Sequence, residues 1–154
     1  MAFTAQDVKA LREKTGVGMM ECKKALVEAD GDMDKAVDFL RERGLAAAAK
    51  KATRIAAEGV VLPYYDAEAK KGVVVEVNSE TDFVAKNEKF MSFVEGVAKT
   101  ILATNPADVE ALKEEKFDGT DRTVTETLND LVLSIGENMK VRRFERMDGI
   151  VSTY

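Results

Sequence analysis

Ser-Glu-Thr-Asp-Phe-Val-Ala-Lys-Asn, residues 79–87, is the stretch that decides the fold. It follows a valine-rich run, residues 73–77, that is typical of a buried strand, and it precedes apolar residues at helical spacing in residues 90–101. The stretch is therefore predicted to be a strand-to-helix turn. Phe83 is a large apolar ring beside an acid, Asp82, in a kind of segment that normally runs over the surface. The ring is either packed under the fold or offered to a partner.

Two local interpretations of this turn are open. In the first, Thr81 or Asp82 caps the following helix, and Phe83 packs as a staple on the first helical turn. In the second, Phe83 is exposed and contacts another molecule. Chemistry alone favours the first interpretation, because capping residues and apolar staples are common at helix starts.

Charge is distributed unevenly along the chain. The 154 residues have a formal net charge of -5; the first 54 contain eleven basic and nine acidic residues, whereas the remainder contains twelve and nineteen. Because nucleic-acid binding needs clustered cations, the acidic part is a poor candidate for that function. The basic run Lys50, Lys51 and Arg54 is interpreted as a solvated helix face rather than an RNA site, since no aromatic residues are interleaved with it.

The residue types present make an enzyme an unfavourable interpretation. The chain has no histidine, which is the commonest general base and transition-metal ligand. Its single cysteine, Cys22, lies on an apolar helical stripe and is predicted to be a core residue rather than a nucleophile. Acid–base catalysis would have to use Glu76, Glu80 and Asp82, without evident pocket-forming aromatics. No apolar run is long enough to predict a membrane span, and the chain is expected to be cytosolic.

Three short helices joined by glycine turns are predicted in residues 1–44. Thr4 can cap the first helix and Asp32 the third, which Gly44 is expected to end. Such a unit is a miniature three-helix bundle, close to the smallest size that folds without disulfides or metals.

Met19 and Met20 open the second of these helices and cannot both face inward. One is expected to extend the stripe of Cys22 by one turn, and the other to be exposed. The exposed methionine, near Arg12, is either an ordinary surface residue or part of a docking patch, since methionine is a flexible contact residue.

The rest of the chain is predicted to be a helical linker, residues 45–56, and an α+β domain, residues 57–154. Residues 58–65 and 72–78 are typical of a hairpin, with a third strand after Asn138. Pro63 lacks a backbone donor, so the first strand should lie at an edge or carry an irregularity at this residue. The predicted fold class is α+β: an N-terminal three-helix bundle, a helical linker, and a small three-stranded antiparallel sheet packed with helices.

The end of the chain echoes the start of the first strand. Glu58-Gly59-Val60-Val61 is matched by Asp148-Gly149-Ile150-Val151. If the echo is a repeat, residues 57–154 are the first of two related halves, the second is absent, and one surface of the sheet is uncovered.

Two motifs in this order resemble translation elongation factor Ts. The N-terminal matches are Leu11-Arg12, Thr15-Gly16, Gly18-Met19-Met20, Cys22-Lys23-Lys24-Ala25-Leu26 and Gly31-Asp32. The core matches are Glu76-Val77-Asn78 and Thr81-Asp82-Phe83-Val84-Ala85-Lys86-Asn87. The resemblance covers essentially the whole chain, and it implies that the N-terminal bundle is similar to the ubiquitin-associated fold.

The resemblance implies a guanine-nucleotide exchange factor for elongation factor Tu, which acts by binding and is not an enzyme. It assigns displacement of the partner's Mg2+ ion to four residues of the turn, Thr81, Asp82, Phe83 and Val84. It assigns contact with the partner's nucleotide-binding domain to Arg12, Met19 and Met20. It implies no cofactor, metal or small-molecule ligand of the chain itself, no nucleic acid and no membrane.

The chain departs from the family pattern in length, because members of the family continue through a second core subdomain that also contacts the partner. A ubiquitin-like or helix-binding adaptor without exchange activity is the alternative function, and an adaptor would not need Asp82 and Phe83 at the turn. The absence of a transit segment before the bundle favours the bacterial cytoplasm over an organelle matrix.

Overall fold

The structure is a computed structural model that describes residues 3–154. Within these residues the helices are α1 Ala5–Thr15, α2 Met19–Glu28, α3 Met33–Lys51, α4 Asp82–Ala85, α5 Glu88–Thr104, α6 Val109–Glu114 and α7 Val124–Ile135. The strands are β1 Glu58–Asp66, β2 Lys71–Ser79 and β3 Lys140–Asp148. The predicted α+β class, with N-terminal helices followed by a small three-stranded antiparallel sheet packed with helices, is confirmed.

The chain separates into two compact units. The first contains residues 3–53 with Asn129–Glu137, and the second contains Arg54–Leu128 with Asn138–Tyr154. The predicted division into residues 1–44, 45–56 and 57–154 stays a prediction. The contribution of residues 129–137 to the first unit has no signal in the local sequence, because it depends on a contact between distant parts of the chain.

The first unit is a small helical bundle whose helices begin at predicted caps. The side chain of Thr4 accepts a hydrogen bond from the amide of Asp7, whose carboxylate accepts one from the amide of Thr4 in return. Asp32 caps α3 by accepting from the amide of Asp34. The buried core consists of Val8, Leu11, Val17, Cys22, Ala25, Leu26, Ala29, Ala36 and Leu40.

Helix α3 continues through Gly44, so the prediction that this glycine ends the helix was wrong. A Cβ atom at Gly44 would lie 3.3 Å from the backbone of Asn129 and 3.3 Å from the carboxylate of Asp130. The glycine is therefore explained by the close approach of α7, not by the end of a helix. Leu133 of α7 packs against the core of the same unit.

The second unit is built on the antiparallel sheet, in the order β1-β2-β3. Strand β1 pairs with β2 from Glu58 opposite Ser79 to Asp66 opposite Lys71, and the ladder between β2 and β3 is irregular between residues 76 and 77. Pro63 lies on an edge strand, as predicted. The valines of β2 that face α5, Val73, Val75 and Val77, are buried.

Helix α5 supplies much of the core of the second unit. It begins after Asn87, whose side chain accepts hydrogen bonds from two amides of the first turn, and it ends before Asn105, which has a φ of 48°. The ring of Phe93 stacks on that of Phe117 with centroids 5.5 Å apart. A Cβ atom at Gly96 would lie 2.1 Å from the Phe117 ring, so this stack requires glycine at position 96.

The two glycines of the sequence echo share a backbone feature. Gly59 has a φ of 138° and Gly149 a φ of 112°, a region that favours glycine. The agreement supports the echo, and the two-halves interpretation stays a prediction.

Candidate functional site

The turn of residues 79–87 contains a short helix of its own. Thr81 begins α4 by accepting a hydrogen bond from the amide of Val84 at 3.4 Å, and the hydroxyl of Ser79 donates to the carbonyl of Thr81 at 2.9 Å. Helix α4 ends after four residues, and Asn87 caps α5 separately. Thr81 is therefore a cap, as predicted, but the helix that it caps is α4 rather than the long helix.

The structure separates the apolar residues of the turn into an exposed one and a buried one. The side chain of Phe83 is 83% exposed, whereas Val84 is buried. Asp82 is exposed as well, with its carboxylate 3.5 Å from the amino group of Lys86. The staple interpretation of Phe83 was wrong, because Val84 takes the inward position on this short helix.

Glu80 connects the turn to two other segments of the second unit. Its carboxylate accepts a hydrogen bond from the amide of Asn138 at 2.7 Å and lies 3.5 Å from the guanidinium of Arg54. The side-chain amide of Asn138 in turn donates to the carbonyl of Arg54 at 2.8 Å. Three segments that are distant in sequence therefore meet at one carboxylate.

Glu76 is an ion-pairing residue of the sheet. Its carboxylate accepts a hydrogen bond from the Nε of Arg143 at 2.6 Å and lies 3.5 Å from Arg142. The hydrogen bond from Arg143, followed by that from Asn78, lowers the pKa of Glu76 below its ordinary value. A general acid at neutral pH needs a raised pKa, so this environment does not favour acid–base catalysis by Glu76.

Both methionines at the start of α2 are exposed, Met19 to 44% and Met20 to 67%. The prediction that one of them extends the inward stripe was wrong, because Val17, in the preceding turn, is fully buried in the core and occupies that position. Arg12 on α1 is exposed as well. We call Arg12, Met19 and Met20 the docking patch, after the partner contact that the resemblance predicts for them; these residues lie in the first unit, whereas Thr81–Val84 lie in the second.

Cys22 is a core residue, as predicted. It is fully buried, and its thiol donates a hydrogen bond to the carbonyl of Val17 at 3.5 Å. Burial raises the pKa of the Cys22 thiol, with a smaller opposing effect of the hydrogen bond to Thr15. A thiol with a raised pKa is a poor nucleophile at neutral pH.

The basic residues Lys50, Lys51 and Arg54 have local structural roles. Lys50 and Lys51 lie in the last turn of α3, where positive charge interacts favourably with the free carbonyls of the helix end. Arg54 pairs with Glu80. Among residues 3–154, no helix combines the length and the apolar character that crossing a membrane requires.

Two features of the site were missed by sequence reasoning. The division of the turn into α4 and α5 had a signal, because Asn87 is a favoured cap residue directly before Glu88. The contact between Glu80 and Asn138 had none, since the two residues are 58 positions apart.

Comparison with known proteins shows which family the chain resembles. A family model described as Elongation factor TS matches residues 80–154. A protein named Elongation factor Ts from Clostridium perfringens (strain SM101 / Type A) is 58% identical over 155 residues, which cover 99% of this chain and 51% of that protein. The chain belongs to the elongation factor Ts family. The resemblance inferred from the two motifs is thereby confirmed.

Further elongation factor Ts relatives match to the same extent. The protein of that name from Syntrophotalea carbinolica is 55% identical over 157 residues, covering 100% of this chain and 51% of the relative. The one from Clostridium novyi is 54% identical over 155 residues, covering 98% and 51%. The chain spans about half the length of the curated relatives it matches.

Proposed function

We propose that this chain is a guanine-nucleotide exchange factor for elongation factor Tu in translation elongation. The observation that carries the proposal is the exposed ring of Phe83 on a turn whose neighbouring residues are fixed. Ser79 and Thr81 are tied by hydrogen bonds, and Val84 is buried. An apolar ring presented in this way is suited to insert between the side chains of a partner.

Burial of Phe83 in a partner can supply the energy that exchange requires. Burying a phenylalanine side chain contributes about 1.5–3 kcal/mol. If the ring is buried only when the partner is free of nucleotide, the chain binds that form about tenfold to a hundredfold more tightly. Thermodynamic reciprocity then requires that the chain weaken nucleotide binding by the same factor.

Asp82 is proposed to act on the Mg2+ ion that the partner holds with GDP. Mg2+ demands near-ideal octahedral geometry, so a carboxylate inserted beside its ligands disturbs the site. In the free chain the carboxylate lies 3.5 Å from Lys86 in an exposed pair, which contributes little to stability and is readily replaced by contacts with a partner. Thr81 and Val84 are the other two residues predicted to take part in Mg2+ displacement. We propose that they do so by holding the backbone of the turn, Thr81 through its cap and Val84 through its burial. We call Asp82 and Phe83 the wedge.

The docking patch is proposed to contact the nucleotide-binding domain of the partner. Methionine side chains adapt to irregular surfaces, and arginine is enriched in protein interfaces. A factor that works by binding alone needs no covalent chemistry and no cofactor of its own. The proposed setting is the bacterial cytoplasm.

The experiment that tests this proposal is release of a fluorescent GDP analogue from purified elongation factor Tu, with and without this chain. We expect the chain to accelerate release, and Phe83→Ala to lower the rate at saturating concentration by about tenfold or more. Ile150→Ala is the matched control, because Ile150 is also highly exposed, at 85%, and lies in the same unit. It should behave as the wild type.

Two other outcomes would contradict the proposal. If the chain does not accelerate release but competes with a longer exchange factor, it docks without exchange activity. If it neither accelerates nor competes, the adaptor function is favoured, with Met19 and Met20 as its exposed contacts.

A further inference from the structure

We propose that Glu80 is a positioning residue. Its contacts hold the wedge in a fixed orientation relative to Arg54 and Asn138, the two residues at which the chain enters the second unit. The inference rests on the proposed exchange function. Its basis is the pair of contacts that the carboxylate makes, to the amide of Asn138 at 2.7 Å and to the guanidinium of Arg54 at 3.5 Å. Glu80 lies directly before Thr81, the cap of α4. We call α4 the wedge helix, because it carries Asp82 and Phe83.

Arg54 and Asn138, the two residues that contact the Glu80 carboxylate, both lie where the chain enters the second unit. Arg54 is the first residue of the second unit after Thr53, and Asn138 is the first after Glu137. The side-chain amide of Asn138 donates to the carbonyl of Arg54 at 2.8 Å, which closes a triangle of contacts. Both segments that lead from the first unit into the second are therefore tied to the residue that precedes the wedge helix.

The hydrogen bond to Asn138 is the stronger of the two contacts. Asn138 is buried, so removal of the carboxylate leaves its amide without this acceptor in a place of limited access to water. The ion pair with Arg54 contributes less, because that side chain is half exposed and salt screens the interaction. A glutamine at position 80 can keep the first contact and loses only the second.

The contacts of the Glu80 carboxylate add a further constraint on the direction of the turn. Ser79 is fully buried and donates to the carbonyl of Thr81, so the backbone is fixed on one side of Glu80 by the sheet and on the other by α4. Without the Glu80 contacts, the wedge helix keeps its cap and the buried Val84 but loses its connection to Arg54 and Asn138. Phe83 then samples more orientations, and less of its burial energy is available in the nucleotide-free complex.

The test is the maximal rate of GDP release from elongation factor Tu at saturating chain, with Glu80→Ala and Glu80→Gln. We expect about a tenfold lower maximal rate for alanine and a change within about twofold for glutamine. Glu76→Ala is the matched control, because Glu76 also pairs with arginine in the same unit, while its contacts with Arg142, Arg143 and Asn78 all lie outside residues 79–87. It should keep the wild-type maximal rate.

A double variant distinguishes positioning from a separate contact with the partner. If Glu80 acts through the wedge, Glu80→Ala causes no further loss in a chain that already carries Phe83→Ala. Full additivity of the two losses would overturn the inference, as would an unchanged maximal rate for Glu80→Ala or an equal loss for Glu76→Ala.

Hydrogen exchange in the free chain separates this inference from the proposed function. The amide of Asn138 should exchange about tenfold faster in Glu80→Ala than in the wild type, while its rate stays unchanged in Glu76→Ala. Unchanged protection at Asn138 would overturn the inference even if the wild-type chain accelerates GDP release. A wild-type chain without acceleration would overturn the proposed function and, with it, the role of Glu80 in exchange, while faster exchange at Asn138 would still show the structural contact.

Discussion

Two helix starts in this chain expose apolar side chains, and they are built differently. Helix α2 begins at Met19 after Gly18, which supplies no side-chain cap. Helix α4 begins after Thr81, whose hydroxyl accepts the amide of Val84, and is preceded by Glu80 with its contacts to distant segments. The exposed methionines therefore start an uncapped helix, whereas the exposed Phe83 lies on a helix with support on several sides.

The difference between the two helix starts matches two kinds of contact with a partner, one that does not depend on the partner's nucleotide state and one that does. A contact that is equally strong with and without nucleotide raises affinity but cannot shift the partner between those states. Adaptable methionines are sufficient for such a contact. A contact that favours one state must be presented in a fixed geometry, because freedom of the ring reduces the difference between the states. We therefore expect the docking patch and the wedge to respond differently to substitution.

The largest expected effect in this comparison is on docking. The double substitution Arg12→Ala and Met20→Ala should raise the chain concentration needed for half-maximal acceleration of GDP release by about tenfold, because both remove interface area. The maximal rate should be unchanged. Titration of the rate against chain concentration separates the two quantities. Lys9→Ala is the control, because Lys9 is an exposed residue of α1, the helix that carries Arg12. A lower maximal rate with unchanged half-saturation would show that the patch itself drives exchange.

The next effect concerns the cap of the wedge helix. Thr81→Ala should lower the free energy of unfolding by about 1 kcal/mol, because the amide of Val84 loses its side-chain acceptor. Thr81→Ser keeps a hydroxyl and should retain most of the stability. Urea denaturation measures both variants. Equal stability of the alanine variant and the wild type would mean that α4 does not depend on its cap.

The sequence predicted the elements whose signals are local. The caps Thr4 and Asp32 were identified from residue type and position, and they are caps in the structure. Thr81 was one of two candidate caps, and the helix that it caps is α4 rather than the long helix. The edge position of β1 followed from Pro63. The hairpin and the third strand after Asn138 were predicted from strand-forming and alternating residues, whereas the strand order comes from the structure.

The features that sequence reasoning missed depend on distant contacts. Gly44 looked like a helix end, because a glycine that admits a neighbouring helix has the same identity as one that terminates a helix. The exposure of both Met19 and Met20 depended on Val17 filling the core. The role of Phe83 in the turn was ambiguous for the same reason, since only the packing of Val84 decides which side chain faces inward.

A smaller effect on the free energy of unfolding is expected from a substitution at the uncapped start of α2. Gly18 has a φ of -60°, and a Cβ atom there would meet nothing within 4 Å. Gly18→Ser should therefore raise the free energy of unfolding by about 0.5 kcal/mol, by adding a cap and restricting the unfolded chain. Gly16→Ser is the opposite control, because Gly16 has a φ of 71°, and the substitution should destabilise the fold. Destabilisation by Gly18→Ser would show that α2 needs a flexible start.

The smallest effect is the pH dependence of the Glu76 pairing. The hydrogen bond from Arg143 lowers the pKa of Glu76, so the ionised carboxylate stabilises the folded state above its ordinary pKa of about 4.5. This contribution is lost as the pH falls through the lowered pKa. Glu76→Gln should thus be less stable than the wild type at pH 7, with a difference that shrinks in acid. Urea denaturation at several pH values measures it, and a constant difference would contradict the assignment.

The measurement that tests the account most directly is the affinity of the wild type, Phe83→Ala and Met20→Ala for elongation factor Tu with GDP bound and with nucleotide removed. We predict that Phe83→Ala loses affinity only for the nucleotide-free form, because we propose that the ring is buried only in that complex. Met20→Ala should lose the same factor of affinity for both forms. Equal losses from both forms by Phe83→Ala would contradict the division between wedge and docking patch.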